Sequence, residues 1–155
     1  MNQDMISDDL GESRLYRIGV VLVMLALGIS LYLSYTKLAD VEVACTESET
    51  INCNTVQDSR YGELMGIPLA YLGLATNLLL LALHIGEKAY GERQQEILML
   101  IFGLVLVAFL YSLFLVYVQA ADLKAYCLWC LAHEALITGL FGVTLVRVRR
   151  QLWGG

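Results

Sequence analysis

Four cysteines fall into two pairs, Cys45 with Cys53 and Cys127-Leu128-Trp129-Cys130. Each pair lies at the margin of an apolar stretch, so dithiol–disulfide exchange here would run beside lipid, within reach of a membrane-soluble electron acceptor. A Cys-x-x-Cys at a helix start sets its first sulfur against the free N–H groups of the first turn. There the helix dipole favours the thiolate, which is the attacking species. A static disulfide and half of a four-cysteine zinc site compete with this reading. Zinc, however, takes a tight knuckle on each pair, and the spacing of Cys45 and Cys53 is too wide for one. The segment these two enclose, Thr-Glu-Ser-Glu-Thr-Ile-Asn, leaves two readings open. It is either a structural staple or a movable bridge, met first by an outside partner and then by the membrane-edge pair.

Two ionisable residues follow the second pair. At 100° per residue, Glu134 falls within about 20° of Cys127 and about 10 Å deeper along a helix. Cys130 and His133 are three apart and share a neighbouring stripe. An ionisable group inside a membrane helix is a functional candidate, because leaving it in lipid is costly. Reduction of a quinone consumes two protons, and a carboxyl or imidazole beneath the thiols is placed to relay them. Burial would keep the Glu134 carboxyl in its proton-carrying form. The plainer reading is that His133 and Glu134 satisfy polar groups between helices, as His84 is expected to do.

These residues need a scaffold, and composition names it. The chain of 155 residues is 58% hydrophobic and 16% charged. Four stretches, 18–36, 67–85, 97–118 and 127–146, approach or exceed the roughly 20 apolar residues that cross a bilayer. The expected fold is an all-α integral membrane protein: one domain over 1–155, a four-helix bundle with a long outer loop between helices 1 and 2. The first span reads as a retained helix, since its leader is too acidic and too long for a signal peptide. Lys and Arg set the orientation. Arg14, Arg17, Lys88, Arg93, Arg147, Arg149 and Arg150 stand on one side, against Lys37, Arg60 and Lys124 on the other. That imbalance places both termini in the cytoplasm and all four cysteines on the oxidising side, where disulfides persist. Topology thereby explains the C-terminal arginines, and nothing is basic enough for nucleic acid. The 37–66 loop is longer than a helix connection needs and acidic, and it reads as easily moved. Gly66-Ile67-Pro68-Leu69 reads as a helix start with proline in the first turn.

The ordered combination resembles the vitamin K epoxide reductase family, in particular its bacterial members. Its parts are Cys45-x7-Cys53, Ser59 within Asp-Ser-Arg-Tyr-Gly, then Gly-Ile-Pro-Leu-Ala-Tyr-Leu-Gly, and the Cys-x-x-Cys that opens the last helix. The resemblance covers roughly Ile18 to Val146. It implies a bundle enclosing a quinone of ubiquinone or menaquinone type near the outer face. Cys130 would be the sulfur next to the quinone and Cys127 its partner, with Cys45 and Cys53 as the shuttle pair. Ser59 would support the quinone or the loop by hydrogen bonding, and the helix geometry adds His133 and Glu134 as candidate quinone contacts; no metal is implied. Animal members carry a tyrosine four residues after the last cysteine, where this chain has Glu134. That difference points away from vitamin K epoxide and toward a bacterial inner-membrane enzyme oxidising a thioredoxin-like protein supplied in trans. Disulfide bond formation protein B does similar chemistry with the two cysteine pairs in the reverse order. A non-catalytic scaffold with two structural disulfides is the remaining alternative.

Overall fold

A computed structural model describes residues 2–153. Met1, Gly154 and Gly155, the ends of the expected single domain, lie outside the described residues. Among the described residues, four helices are long and apolar enough to cross a membrane: Leu10–Ala39, Leu69–Ala89, Gly91–Leu123 and Leu128–Trp153. They belong to α1 (Asn2–Ala39), α3 (Leu69–Ala89), α4 (Gln94–Val118) and α5 (Leu128–Trp153). A short helix, α2 (Cys53–Gln57), and a two-stranded hairpin, β1 (Glu63–Leu64) and β2 (Ile67–Pro68), sit in the long loop. The spanning helices form an all-α bundle. In it α1 packs on α3 and α5, and α4 packs closely on α5, whereas the seam between α3 and α4 is sparser. Phe109 and Phe141 stack across α4 and α5 with ring centroids 4.5 Å apart.

The helices overrun the expected spans. The polar leader is helical and continuous with the first span, since nothing in it breaks the backbone before Asp40 turns to positive φ. At the other boundary Pro68 is not in the first helical turn. Pairing of β1 with β2 holds it extended, at ψ 133°, so Pro68 caps α3 and the helix begins at Leu69. The hairpin turn, Met65-Gly66, has φ of 54° and 81°, the pair of positive angles that a two-residue turn matching strand twist requires. Gly62 is sterically fixed, because an added Cβ would overlap the carbonyl oxygen of Gln57. Its own N–H donates to Ser59 O at 2.8 Å and its carbonyl accepts from Leu69 N at 2.9 Å, tying α2, the hairpin and α3 together.

Polar layers mark the two ends of the bundle, with an apolar layer between. Val23, Leu80, Ile101, Val105 and Leu140, drawn from all four spanning helices, form a core no more than 1% exposed. On the far side from the cysteines, Arg147 is fully buried rather than a free terminal charge. It pairs with the buried Glu87 carboxylate and, at 2.5 Å, with Glu12, and its guanidinium lies over the Tyr16 ring. Membrane topology alone therefore does not account for Arg147; it joins α1, α3 and α5. His84 sits in the same region. Its Nδ1 contacts Leu80 O at 2.8 Å, Tyr16 Oη donates to its carbonyl at 2.9 Å, and Gly19 leaves room for its ring.

Candidate redox site

The loop reaches the last helix through a strip of backbone pairing. Ile51 and Tyr126 form a parallel bridge, Asn52 N–H donates to Tyr126 O at 3.0 Å, and Tyr126 N–H to Thr50 O at 2.8 Å. Asn52 then caps α2 by accepting from Thr55 N. This places Cys53, the first residue of α2, against Cys127, the residue before α5. Both are fully buried in one cluster with Leu33, Val43 and Ala70, and Cys45 and Cys130 pack against it. All four cysteines thus occupy one site.

Their bonding is asymmetric. Cys45 and Cys53 form a disulfide with Cα atoms 6.1 Å apart, while Cys127 and Cys130 are free thiols. Cys130 N–H donates to Cys127 Sγ at 3.3 Å, so a first-turn amide does face the first sulfur. Cys45 is half-buried and Cys53 is not exposed at all. The bridge is pinned more firmly than an acidic loop predicts. Trp129, inside the Cys-x-x-Cys, donates from Nε1 to Ala44 O at 2.8 Å. Tyr32 Oη accepts from Ala44 N at 2.9 Å, and the two rings lie 4.8 Å apart. Val43 N–H donates to Asn54 Oδ1 at 2.9 Å. Between the two bridged cysteines, residues 46–50 are exposed.

Beneath the thiols lies a cavity of about 400 Å³, walled by α1, α3, α4 and α5 and almost wholly apolar. Its polar lining is sparse and clustered: Cys130, His133 and Glu134 on α5, Tyr111 and Ser112 on α4, Ser30 on α1 and Thr76 on α3. That size and lining match a pocket for a flat apolar ring bearing a few oxygens. A second cavity of about 50 Å³ lies under α2; Cys130 and Glu134 border both. Ser59 faces this smaller cavity and not the larger, and its Oγ donates to Val56 O at 2.8 Å.

Several polar partners here were not foreseen. Gln119 falls just after the third expected span, 97–118, in the stretch left to connect it to the fourth. Instead α4 continues into a π-helical turn, Gln119–Leu123, closed by Lys124 in the left-handed region. The wider turn leaves Gln119 only 2% exposed. Its Oε1 accepts from Cys127 N–H at 3.0 Å and its Nε2 donates to Glu134 Oε1 at 3.4 Å. Gln57, one turn after Cys53, donates from Nε2 to Cys130 Sγ at 3.6 Å. Asn77, a lone amide in a leucine-rich helix, bonds Ser30 Oγ at 2.7 Å and lies 2.9 Å from His133 Nε2. That amide in an apolar run was a readable signal; for Gln119 the sequence held none.

Residues 17–145 match the vitamin K epoxide reductase family, most of the chain. The chain belongs to that family. Its members are membrane thiol–disulfide and quinone-linked oxidoreductases that generally work with a thioredoxin-like partner. The cluster of four cysteines above an apolar cavity is the arrangement such chemistry needs.

Proposed function

We propose that this protein is a quinone-dependent thiol oxidoreductase that makes disulfides in a thioredoxin-like partner acting in trans. The observation that carries the reading is the single cysteine cluster, with Cys130 on the wall of the 400 Å³ cavity. Cys45 is the sulfur an outside thiolate reaches, since Cys53 is buried. Attack there forms a mixed disulfide and releases the Cys53 thiolate. Cys53 attacks an oxidised Cys127–Cys130 bridge at Cys127, against which it already packs, and Cys130 leaves as thiolate. The partner's second thiol then displaces Cys45, and Cys45 attacks Cys53 to restore the loop bridge and release Cys127 as thiolate. One bridge in the loop and two thiols at Cys127 and Cys130 is the distribution in which electrons have reached the membrane edge.

When bound in the cavity, a quinone of ubiquinone or menaquinone type would accept two electrons and two protons. Cys130, His133 and Glu134 are the residues that would hold its polar edge. Gln57 keeps a donor on the Cys130 sulfur, and Gln119 orients Glu134. Glu134 supplies a proton at its carboxyl and Ser59 supports the α2 turn above. The face carrying the loop lies outside the cytoplasm of a bacterial inner membrane. With Arg147 set aside as buried, six Lys and Arg (Arg14, Arg17, Lys88, Arg93, Arg149, Arg150) still oppose three (Lys37, Arg60, Lys124).

The test is Cys53→Ala. Oxidation of a protein dithiol should stop, whereas a small dithiol that reaches Cys127–Cys130 directly should still reduce a short-chain quinone. Full-rate oxidation of the protein dithiol by this variant would make the loop bridge merely structural.

A further inference from the structure

Resting on the assignment of Glu134 as the proton-carrying group of the cavity, we propose that the small cavity under α2 is a water-holding inlet. It supplies Glu134 with protons from the face that carries the cysteines, and the opposite face is sealed. Oxidation of the Cys127–Cys130 dithiol breaks two S–H bonds and makes one S–S bond, releasing two electrons and two protons. A quinone acceptor needs both electrons and two protons to form two O–H bonds. The balance is therefore neutral if release and uptake share a face, and it moves two charges across the membrane if they do not.

The geometry favours one face. The small cavity is bordered by Gln57, Ser59, Tyr61, Val118, Gln119 and Glu134. At about 50 Å³ it has room for more than one water, each needing roughly 10–15 Å³ on this measure. Tyr61, Gly62 and Leu123, at its outer rim, are only half-buried. Among the described residues, Glu134 Oε2 has no hydrogen-bond partner although it is buried, while Oε1 is held by Gln119. A buried acid oxygen without a partner is costly, and water in a bordering cavity whose mainly apolar wall carries the polar side chains of Gln57, Ser59, Tyr61 and Gln119 relieves that cost. Toward the other face the route is closed. Leu80 lies between Asn77 and His84, and Leu140 between His133 and Arg147, both in the apolar layer that all four spanning helices share. The polar side chains next to that layer, His84 and Thr144, are turned to its own backbone carbonyls, at Leu80 O and Leu140 O, 2.8 and 2.7 Å away.

The experiment uses infrared spectroscopy of quinone-depleted protein in lipid nanodiscs at mildly acid pH. The carboxyl C=O band assigned by Glu134→Gln is followed after transfer to D2O. Val118→Phe, which fills only the small cavity, should slow H/D exchange of that band at least tenfold. Gln119→Met should do the same by removing a polar wall. Val118→Met is the milder filler, and reduction of the Cys45–Cys53 bridge by dithiothreitol at the native rate shows that either Val118 variant is folded. Unchanged exchange in folded Val118→Phe and in Gln119→Met overturns the inlet. Turnover with dithiothreitol and a short-chain quinone in proteoliposomes should generate no membrane potential, and a potential abolished by a protonophore overturns the sealed face. Failure of native protein to form quinol at all would instead overturn the proposed function, leaving the exchange result to stand by itself.

Discussion

The two ends of this bundle solve the burial of polar groups in opposite ways. At the far end Arg147 takes two carboxylates, Glu12 and Glu87, from two other helices, with both of its charge partners in direct contact. At the cysteine end the buried polar groups are neutral or weakly acidic: Gln57, Gln119, Asn77, His133 and Glu134. The bonds to Cys130 Sγ and Glu134 Oε1 are long, at 3.6 and 3.4 Å, and among the described residues Asn77 Oδ1 and Glu134 Oε2 have no partner. A buried ion cluster has one good arrangement, and losing any member leaves an uncompensated charge. A set of incompletely paired amides, thiols and acids tolerates a change of bonding and a guest molecule. On the proposed function, the first end fixes the helices and the second carries the chemistry.

The sharpest way to break this contrast is Cys130→Ser. It should reduce quinone-linked turnover to background while leaving the melting temperature nearly unchanged, as thermal denaturation in detergent would show. A large loss of stability would mean that the cysteine end also holds the bundle together. Arg147→Met is the converse. It leaves Glu87 buried and unpaired and should destabilise the fold by about 3–5 kcal/mol, with turnover per folded molecule preserved. Adding Glu87→Gln should recover part of that loss, and failure to recover it would deny the pairing its role.

Smaller effects grade the chemical end. Glu134→Gln should slow the acceptor step by about 10²-fold, the low end for general acid catalysis, because water in the neighbouring cavity substitutes in part. The native rate should fall as pH rises and the acid loses its proton, and the amide should lack that limb. Stopped-flow absorbance of the quinone reads both. The smallest change is Trp129→Phe, which removes the hydrogen bond to Ala44 O. About 1 kcal/mol of local pinning should be lost. Reduction of the Cys45–Cys53 bridge by a water-soluble phosphine should then quicken by roughly fivefold. An unaltered rate would mean that Tyr32 and Asn54 hold the segment without it.

Much of this was legible beforehand for physical reasons. Transmembrane helices announce themselves by length and apolarity, and the Cys-x-x-Cys and Glu134 share one helix, so their spacing is geometry. Beyond the meeting of the two cysteine pairs, what escaped were the polar side-chain contacts between distant segments. Glu87 and Arg147 are sixty residues apart, and each taken alone looks like an ordinary charge at a helix end. Gln119 was hidden by a π-helical turn that no residue pattern marks. The loop seemed mobile because its own side chains are polar, yet its restraint comes from Trp129 and Tyr32, which belong to other elements. The second strand of the hairpin was absorbed into the second span because Ile67 and Pro68 are apolar enough to belong there.

The sparser seam between α3 and α4 has a kinetic consequence. The large cavity is walled there by Leu72 and Thr76 on one side and Leu104, Val107 and Ala108 on the other, and Val107 is 66% exposed to what would be lipid. A molecule that entered by this seam would arrive by diffusion in the plane of the bilayer, and any long tail it carried would stay outside in the acyl chains. Saturation would then follow its mole fraction in the membrane rather than its concentration in the assay volume. Diluting the same vesicles with buffer should leave the rate per protein unchanged, whereas adding bare lipid should lower it.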